Sequence, residues 1–455
     1  MTAAFAILSQ LAAAALTQAA APGAHVLALD EAVRIALDRN PRVRAARASA
    51  ESRLDQSRSL RGHLLPVVNV SGQYDWANMP GSGINICQLG VDFTPPGQPG
   101  QTSKPPPDCA NGPFYPIHDL GFGLGTATIA QPLTGLFHLG EDYAAMGDDA
   151  DASAEDERTV EADVREQVEA DYLSLFEARA LQGIAKASAE QLQDQLKLAQ
   201  SRLAAGVLTK ADLLRVDVAV ANANQQQIQA GVQEQIARAS LLTILGMPPN
   251  STDVDFAQPS EIVERRLPLG YEEANRFASE HRTELQSASL GLDAARHRQL
   301  ARDFSLLPEL NASASVMYLD GLPPGIPNVV EMWGLSLSWN VWEWGASYYQ
   351  IRAAAALKDA SSERLEGTRE QVSLEVDTRL EQTKAAENAV RVAQDAITQA
   401  EEAFRVETSL VKAGAATTTD LLDSQAALTQ ARLNLIRAKY QELRARSALT
   451  RALGA

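Results

Sequence analysis

The residues able to do chemistry are few and scattered. The six histidines, His25, His63, His118, His138, His281 and His297, lie far apart. No nucleophile elbow, P-loop, HExxH or dinucleotide fingerprint gathers them with a nucleophile or a carboxylate. The only cysteines, Cys87 and Cys109, have His118 as their one near neighbour. Two thiols and one imidazole at irregular spacing are too few for zinc. In an exported chain the pair fits a disulfide closing a loop of about 22 residues better than a metal site. The methionines, such as Met79, Met146, Met247, Met317 and Met332, are dispersed and lend no support to a copper route. What does recur at fixed spacing is A-G-x-x-T-x-x-D. Gly206 and Gly414 sit where a helix ends on a left-handed residue. Thr209 and Thr417 are placed as N-caps of the next helix, with Asp212 and Asp420 completing capping boxes. That chemistry is backbone hydrogen bonding, so each motif reads as the turn of a helical hairpin. An enzyme is the least supported class, and no cofactor or resident metal is expected.

The motif recurs because the chain is duplicated. Ser201–Gly246 aligns without a gap on Ser409–Gly454, sharing Ala205/Ala413, Leu213/Leu421 and the residues above. A second echo matches LDEAVRIALDRNPRVRAA, from Leu29, to YEEANRFASEHRTELQSA, from Tyr271. The first copy is about 34 residues longer between its matched ends, and both cysteines fall in that extra sequence. One supersecondary unit built twice implies a quasi-symmetric assembly rather than a single cleft. Charge narrows the partners. Asp and Glu number 57 against 40 Lys and Arg, a net charge of -17, which argues against nucleic acid. Thr2–Ala21 is small and apolar and reads as a secretory signal peptide, though without a basic n-region. No later run reaches the roughly 18 apolar residues of a membrane helix.

Two element types follow from periodicity. Glu141–Ala205 and Gly345–Ala413 are rich in Ala, Glu, Gln and Leu and free of proline. Each predicts a helix of roughly 100 Å, too long for any globular core. Val160, Val164, Val168, Tyr172 and Phe176 recur every four residues, and Ile184, Leu192, Leu196 and Leu203 extend the stripe. Shorter helices over about Asp30–His63 and Lys210–Leu245 together match one long helix. Four segments instead alternate. Val68, Val70, Tyr74 and Trp76 oppose Asn69, Ser71, Gln73 and Asp75. Leu310–Tyr318 and Trp333–Val341 repeat the pattern, and Gly121–Leu133 does so weakly, with Phe122 and Leu124 read as outward. Segments of about ten residues, apolar outward and polar inward with aromatic ends, fit strands of an outer-membrane barrel. Four strands cannot close a barrel, and lipid does not tolerate an open sheet edge. Two copies would give a barrel filled by its own side chains, whereas three give twelve strands and room for a channel.

The ordered set LDEAVRIALDRNPRVRAARA, LLP, AQPL, AGVLTKADLL and AGAATTTDLLDSQAAL resembles the TolC family of outer-membrane efflux ducts across nearly the whole chain. The resemblance implies an α+β fold, a twelve-stranded trimeric membrane β-barrel continuous with a long α-helical barrel. It implies three partners besides lipid: two more copies of the chain, a periplasmic adaptor and an inner-membrane pump. Family cargo ranges from drugs and metal ions to secreted proteins. Residues 1–21 then read as signal peptide, 22–262 as the first efflux repeat and 263–455 as the second. Strands are expected near 67–76, 121–133, 310–319 and 333–341.

Family ducts close on aspartate rings just after the second tip glycine, positions held here by Asp420 and Asp423. Asp420 also has its capping duty; Asp423 has none, and the first copy carries Arg215 in its place. Six such carboxylates across a lumen would raise some of their pKa values and attract cations. Some members carry a gate tyrosine where this chain has Val411. Gly206, Leu208, Thr209, Asp212, Leu213, Gly414, Thr417 and Leu421 are the expected adaptor-contact tips. The competing reading is a non-conducting periplasmic coiled-coil scaffold, which explains the helices and leaves the alternating strands unused.

Overall fold

The computed structural model describes residues 25–77, 83–85, 114–116, 120–258, 270–321 and 327–454. The expected signal peptide and both Cys87 and Cys109 lie outside them. The chain divides into two compact units, one of residues 1–54, 148–292 and 359–455, the other of 55–147 and 293–358.

The first unit is almost wholly helical. Its first-copy elements are strand β1 (His25–Leu27), helix α1 (Leu29–Arg39), most of α2 (Pro41–Gly62) and of α3 (Gly135–Ala204), helix α4 (Lys210–Ile244) and strand β6 (Val254–Phe256). The second copy supplies α5 (Tyr271–His281), the start of α6 (Thr283–Phe304), most of α7 (Ala346–Lys412) and all of α8 (Thr418–Leu453). At 70 and 67 residues, α3 and α7 are the long helices the composition predicts. The four-residue stripe on α3 is buried as expected. Val164, Val168, Tyr172 and Phe176 pack on Val33 and Ala36 of α1, on Leu241 and Leu242 of α4, and on Leu27 and Phe256. Burying each such side chain stabilises by roughly 1.5–3 kcal/mol. The second copy repeats the cluster with Ala274, Ala278, Val376, Leu449 and Leu453. Among the described residues, a parallel pairing of β1 with β6 is found in the first copy alone. The Tyr172 hydroxyl ties it down by donating to the Leu27 and Ala257 carbonyls, and burial pushes that phenol up to about 12.

The single helix expected over Asp30–His63 is two helices. Pro41 suits the first position of a helix and drives the preceding residue out of the helical region, so Asn40 sits extended at ψ 128°. The second copy breaks at the same place without a proline, at Arg282 with ψ 120°. Each break is held by the end of its hairpin. The Asn40 amide donates to the Ile244 carbonyl at 3.0 Å, and the Arg282 guanidinium donates to that of Ala452 at 3.1 Å. Gly454 closes the second junction so tightly that a Cβ there would lie 2.8 Å from the His281 carbonyl.

The second unit carries the sheet. Strands β2 (Val67–Ala77), β5 (Leu120–Pro132), β7 (Glu309–Asp320) and β8 (Val329–Ser338) lie in the order β2-β5-β7-β8, all antiparallel. Strands β3 (Gly83–Asn85) and β4 (Phe114–Pro116) pair separately, flanking the stretch that holds the cysteines. Register shows which side chains share a face, because directly opposed residues point the same way. Val68 and Val70 oppose Ile129 and Ala127, while Ala314, Ala312 and Leu310 oppose Trp333, Leu335 and Leu337. This apolar face is bare, with Val70 77% and Trp333 86% exposed.

Two readings need correction. Leu124 pairs with Gln73 and the register sets Phe122 against Asp75, so Leu124 belongs to the polar row; the outward row of β5 is Gly123, Gly125, Ala127 and Ile129. Counting alternation within one glycine-rich strand could not fix its phase; the neighbouring strand does. The fourth strand also runs over Val329–Ser338 rather than 333–341, its ladder ending before Trp339. Beyond it Trp342, Trp344, Tyr348 and Tyr349 are exposed together. No helix among the described residues is long and apolar enough to cross a membrane.

Candidate functional site

The two hairpin tips lie in the helical unit. At the first, α3 ends in a Schellman motif: Gly206 is left-handed at φ 77°, its N–H bonds to the Leu203 carbonyl at 2.9 Å, and that of Val207 to Arg202 at 2.9 Å. The second tip repeats it with Gly414 at φ 75° and the Ala415 N–H on Leu410 at 2.9 Å. A side chain at either glycine would meet open space, so conformation alone demands glycine there.

The following caps differ. Thr417 makes the full box: its hydroxyl accepts from the Asp420 N–H at 3.2 Å, and its own N–H donates to the Asp420 carboxylate at 2.9 Å. Thr209 makes half of the box expected for it. Its hydroxyl accepts from the Asp212 N–H at 3.2 Å and donates to that carboxylate at 2.6 Å, but the Asp212 carboxylate does not reach back to the Thr209 N–H. It lies instead 4.0 Å from the Arg215 guanidinium, a cation that the second copy lacks.

Arg215 has a second role that comparing the copies only half exposed. Its guanidinium donates to the Thr419 hydroxyl at 2.8 Å and so joins the second turn of α4 to the first turn of α8. A basic residue facing an acidic column, Arg215 against Asp423, was the available signal; which atom it would reach was not written in the spacing. Asp420 and Asp423 are both exposed on α8. Asp420 is engaged by its cap, and the Thr417 hydroxyl, then the Thr417 N–H, hold its carboxyl below the usual range. Within one chain the shift therefore runs opposite to that expected from ring repulsion. Asp423 has no hydrogen bond or ion pair among the described residues. Leu208, Leu213 and Leu421 are half-buried, and Val207 is exposed.

A sequence profile of the outer membrane efflux protein family matches residues 32–247 and 276–455, nearly the whole described chain. The chain belongs to that family. Among its relatives, outer membrane efflux protein BepC of Brucella suis is 23% identical over 327 residues, 71% of this chain and 70% of BepC. The fold is that of solved TolC-type channels. Outer membrane protein VceC of Vibrio cholerae superposes with a TM-score of 0.77 at 16% identity, over 94% of this chain and 96% of VceC. The CmeC outer membrane channel of Campylobacter jejuni gives 0.78 at 15%, over 94% and 85%. As an outer membrane efflux protein the chain is an efflux channel of the outer membrane with its helical tunnel in the periplasm.

Proposed function

We propose that three copies close one twelve-stranded barrel and pass cargo delivered by an inner-membrane pump and a periplasmic adaptor. The observation that carries this reading is the sheet. Among the described residues, strands β2 and β8 are each paired on one side only, and the face they border is bare and apolar. Lipid tolerates that face but not the open edges, which identical neighbours would cap. Residues 1–21 are the export signal, 22–262 and 263–455 the two repeats, and Cys87 with Cys109 a disulfide.

In the helical unit the tips are the adaptor contacts, through Gly206, Leu208, Thr209, Asp212, Leu213, Gly414, Thr417 and Leu421. Asp423, with Asp420 behind its cap, forms the acidic entrance, and Arg215 pins one tip to the other. Native mass spectrometry of detergent-extracted protein is expected to give trimers, and planar bilayers cation-selective conductance. Asp423→Asn should weaken that selectivity and the block by multivalent cations without loosening the trimer. A soluble, non-conducting chain would support the scaffold reading instead. An Asp423→Asn channel as selective as the parent would leave Asp423 a solvated helix residue.

A further inference from the structure

About two turns beyond the second cap, the seam between α3 and α8 buries an amide among its apolar side chains. Gln425 is 2% exposed. Its carbonyl oxygen accepts from the Gln195 amide at 2.5 Å, and its own Nε2 has no partner among the described residues. Gln425 lines a cavity of about 280 Å³ whose other polar residues are Ser188, Asn222, Gln226, Thr429 and Gln430, from α3, α4 and α8. The next contact up the seam, Ser188 to Thr429 between hydroxyl oxygens, is long at 3.4 Å. Its other wall is apolar: Leu192 and Ala223 line it too, and they belong with Ala189 and Val220 to a buried apolar cluster. A leucine at 425 would extend that cluster. A buried amide with one group unsatisfied is costly unless something hydrogen-bonds it, and the space beside it, half lined by polar side chains, is large enough for several waters.

We propose that this cavity is a hydration site, in which ordered water accepts from Gln425 Nε2 and bridges to the amides of α4. This wet layer is the plane on which α8 shifts against α3 when the tips part. Interlocked apolar side chains have discrete registers, whereas water-bridged amides exchange partners after a small slide at little cost. The layer sits between the tips and the apolar core, where a hinge would serve the entrance; to that extent the proposal rests on the entrance reading.

The test is the pair Gln195→Leu/Gln425→Leu in the full-length channel, read by single-channel recording and by heat resistance of the oligomer. Dry packing should lock the seam, so open probability is expected to fall by about tenfold while heat resistance holds or rises. Gln425→Met, which keeps the volume, should give a smaller fall and serves if the double variant fails to assemble. Parental gating in assembled variants would overturn the proposal, as would a high-resolution structure with no water on Gln425 Nε2. The entrance reading fails separately: unchanged selectivity in Asp423→Asn beside a locked Leu pair would remove the acidic ring and leave the hydrated layer standing.

Discussion

Asn40 and Arg282 occupy the same place in the two copies, each extended between two helices and each 5% exposed. Asn40 works without charge: its amide donates to the Ile244 carbonyl at the end of α4, and its carbonyl oxygen accepts from the Arg42 N–H at 2.9 Å. Arg282 recruits distant helices. Besides the Ala452 carbonyl it binds Glu284 at 2.9 Å and Glu375 of α7 at 2.8 Å. Glu284 in turn binds Arg451 of α8 at 2.6 Å, and Arg451 binds Asp163 of α3 at 2.6 Å. The first junction has Pro41 and the β1–β6 pairing to fix its course; among the described residues the second has neither. The comparison teaches that duplication preserved a backbone break while leaving each copy free to choose what satisfies it.

The largest expected effect comes from Arg282→Met. Removing the guanidinium strands Glu375, leaves Glu284 to Arg451 alone and unpairs the Ala452 carbonyl, and should cost about 3–5 kcal/mol of helical-unit stability. A loss no greater than that of the first junction would break the comparison. Asn40→Ala leaves the Ile244 carbonyl unpaired and is expected to cost about 1–3 kcal/mol, measured in the same thermal unfolding series.

Acid should separate the junctions further. Burial alone would raise the Glu284 carboxyl, but the hydrogen bond and charge of Arg451 outweigh it and hold the group below its usual range. Its contribution is therefore complete above the unfolded carboxylate value near about 4.3 and is lost as pH falls through the lower folded value. The deficit of Arg282→Met should shrink below about pH 4, while that of Asn40→Ala stays constant. Equal pH dependence would remove the charge network from the account.

The smallest effect belongs to the caps. Thr417→Ala is expected to cost about 1 kcal/mol and Thr209→Ala less, because only Thr417 closes a full box. Hydrogen exchange of the first turns of α8 and α4 would read the difference, and a larger loss at Thr209 would contradict it.

Duplication, long helices, hairpin tips and the alternation of three strands were legible because each is a local rule repeated along the chain. A left-handed residue asks for Gly206 and Gly414, a cap asks for Thr and Asp at fixed spacing, and a half-buried strand asks for period two. The helix break after Arg39 had its signal in Pro41; the matching break at Arg282 had none, because there the cause is a guanidinium satisfied by residues 93 and 170 positions away. The phase of β5 was likewise settled by pairing: glycines carry no polarity, and only the partner strand says which face they share. At the tips the sequence set the caps and the contrast of Arg215 with Asp423. Tertiary structure alone joined Arg215 to Thr419 and buried Gln425 against Gln195, since a side chain's partner is decided by which helices pack together, information that no local spacing holds.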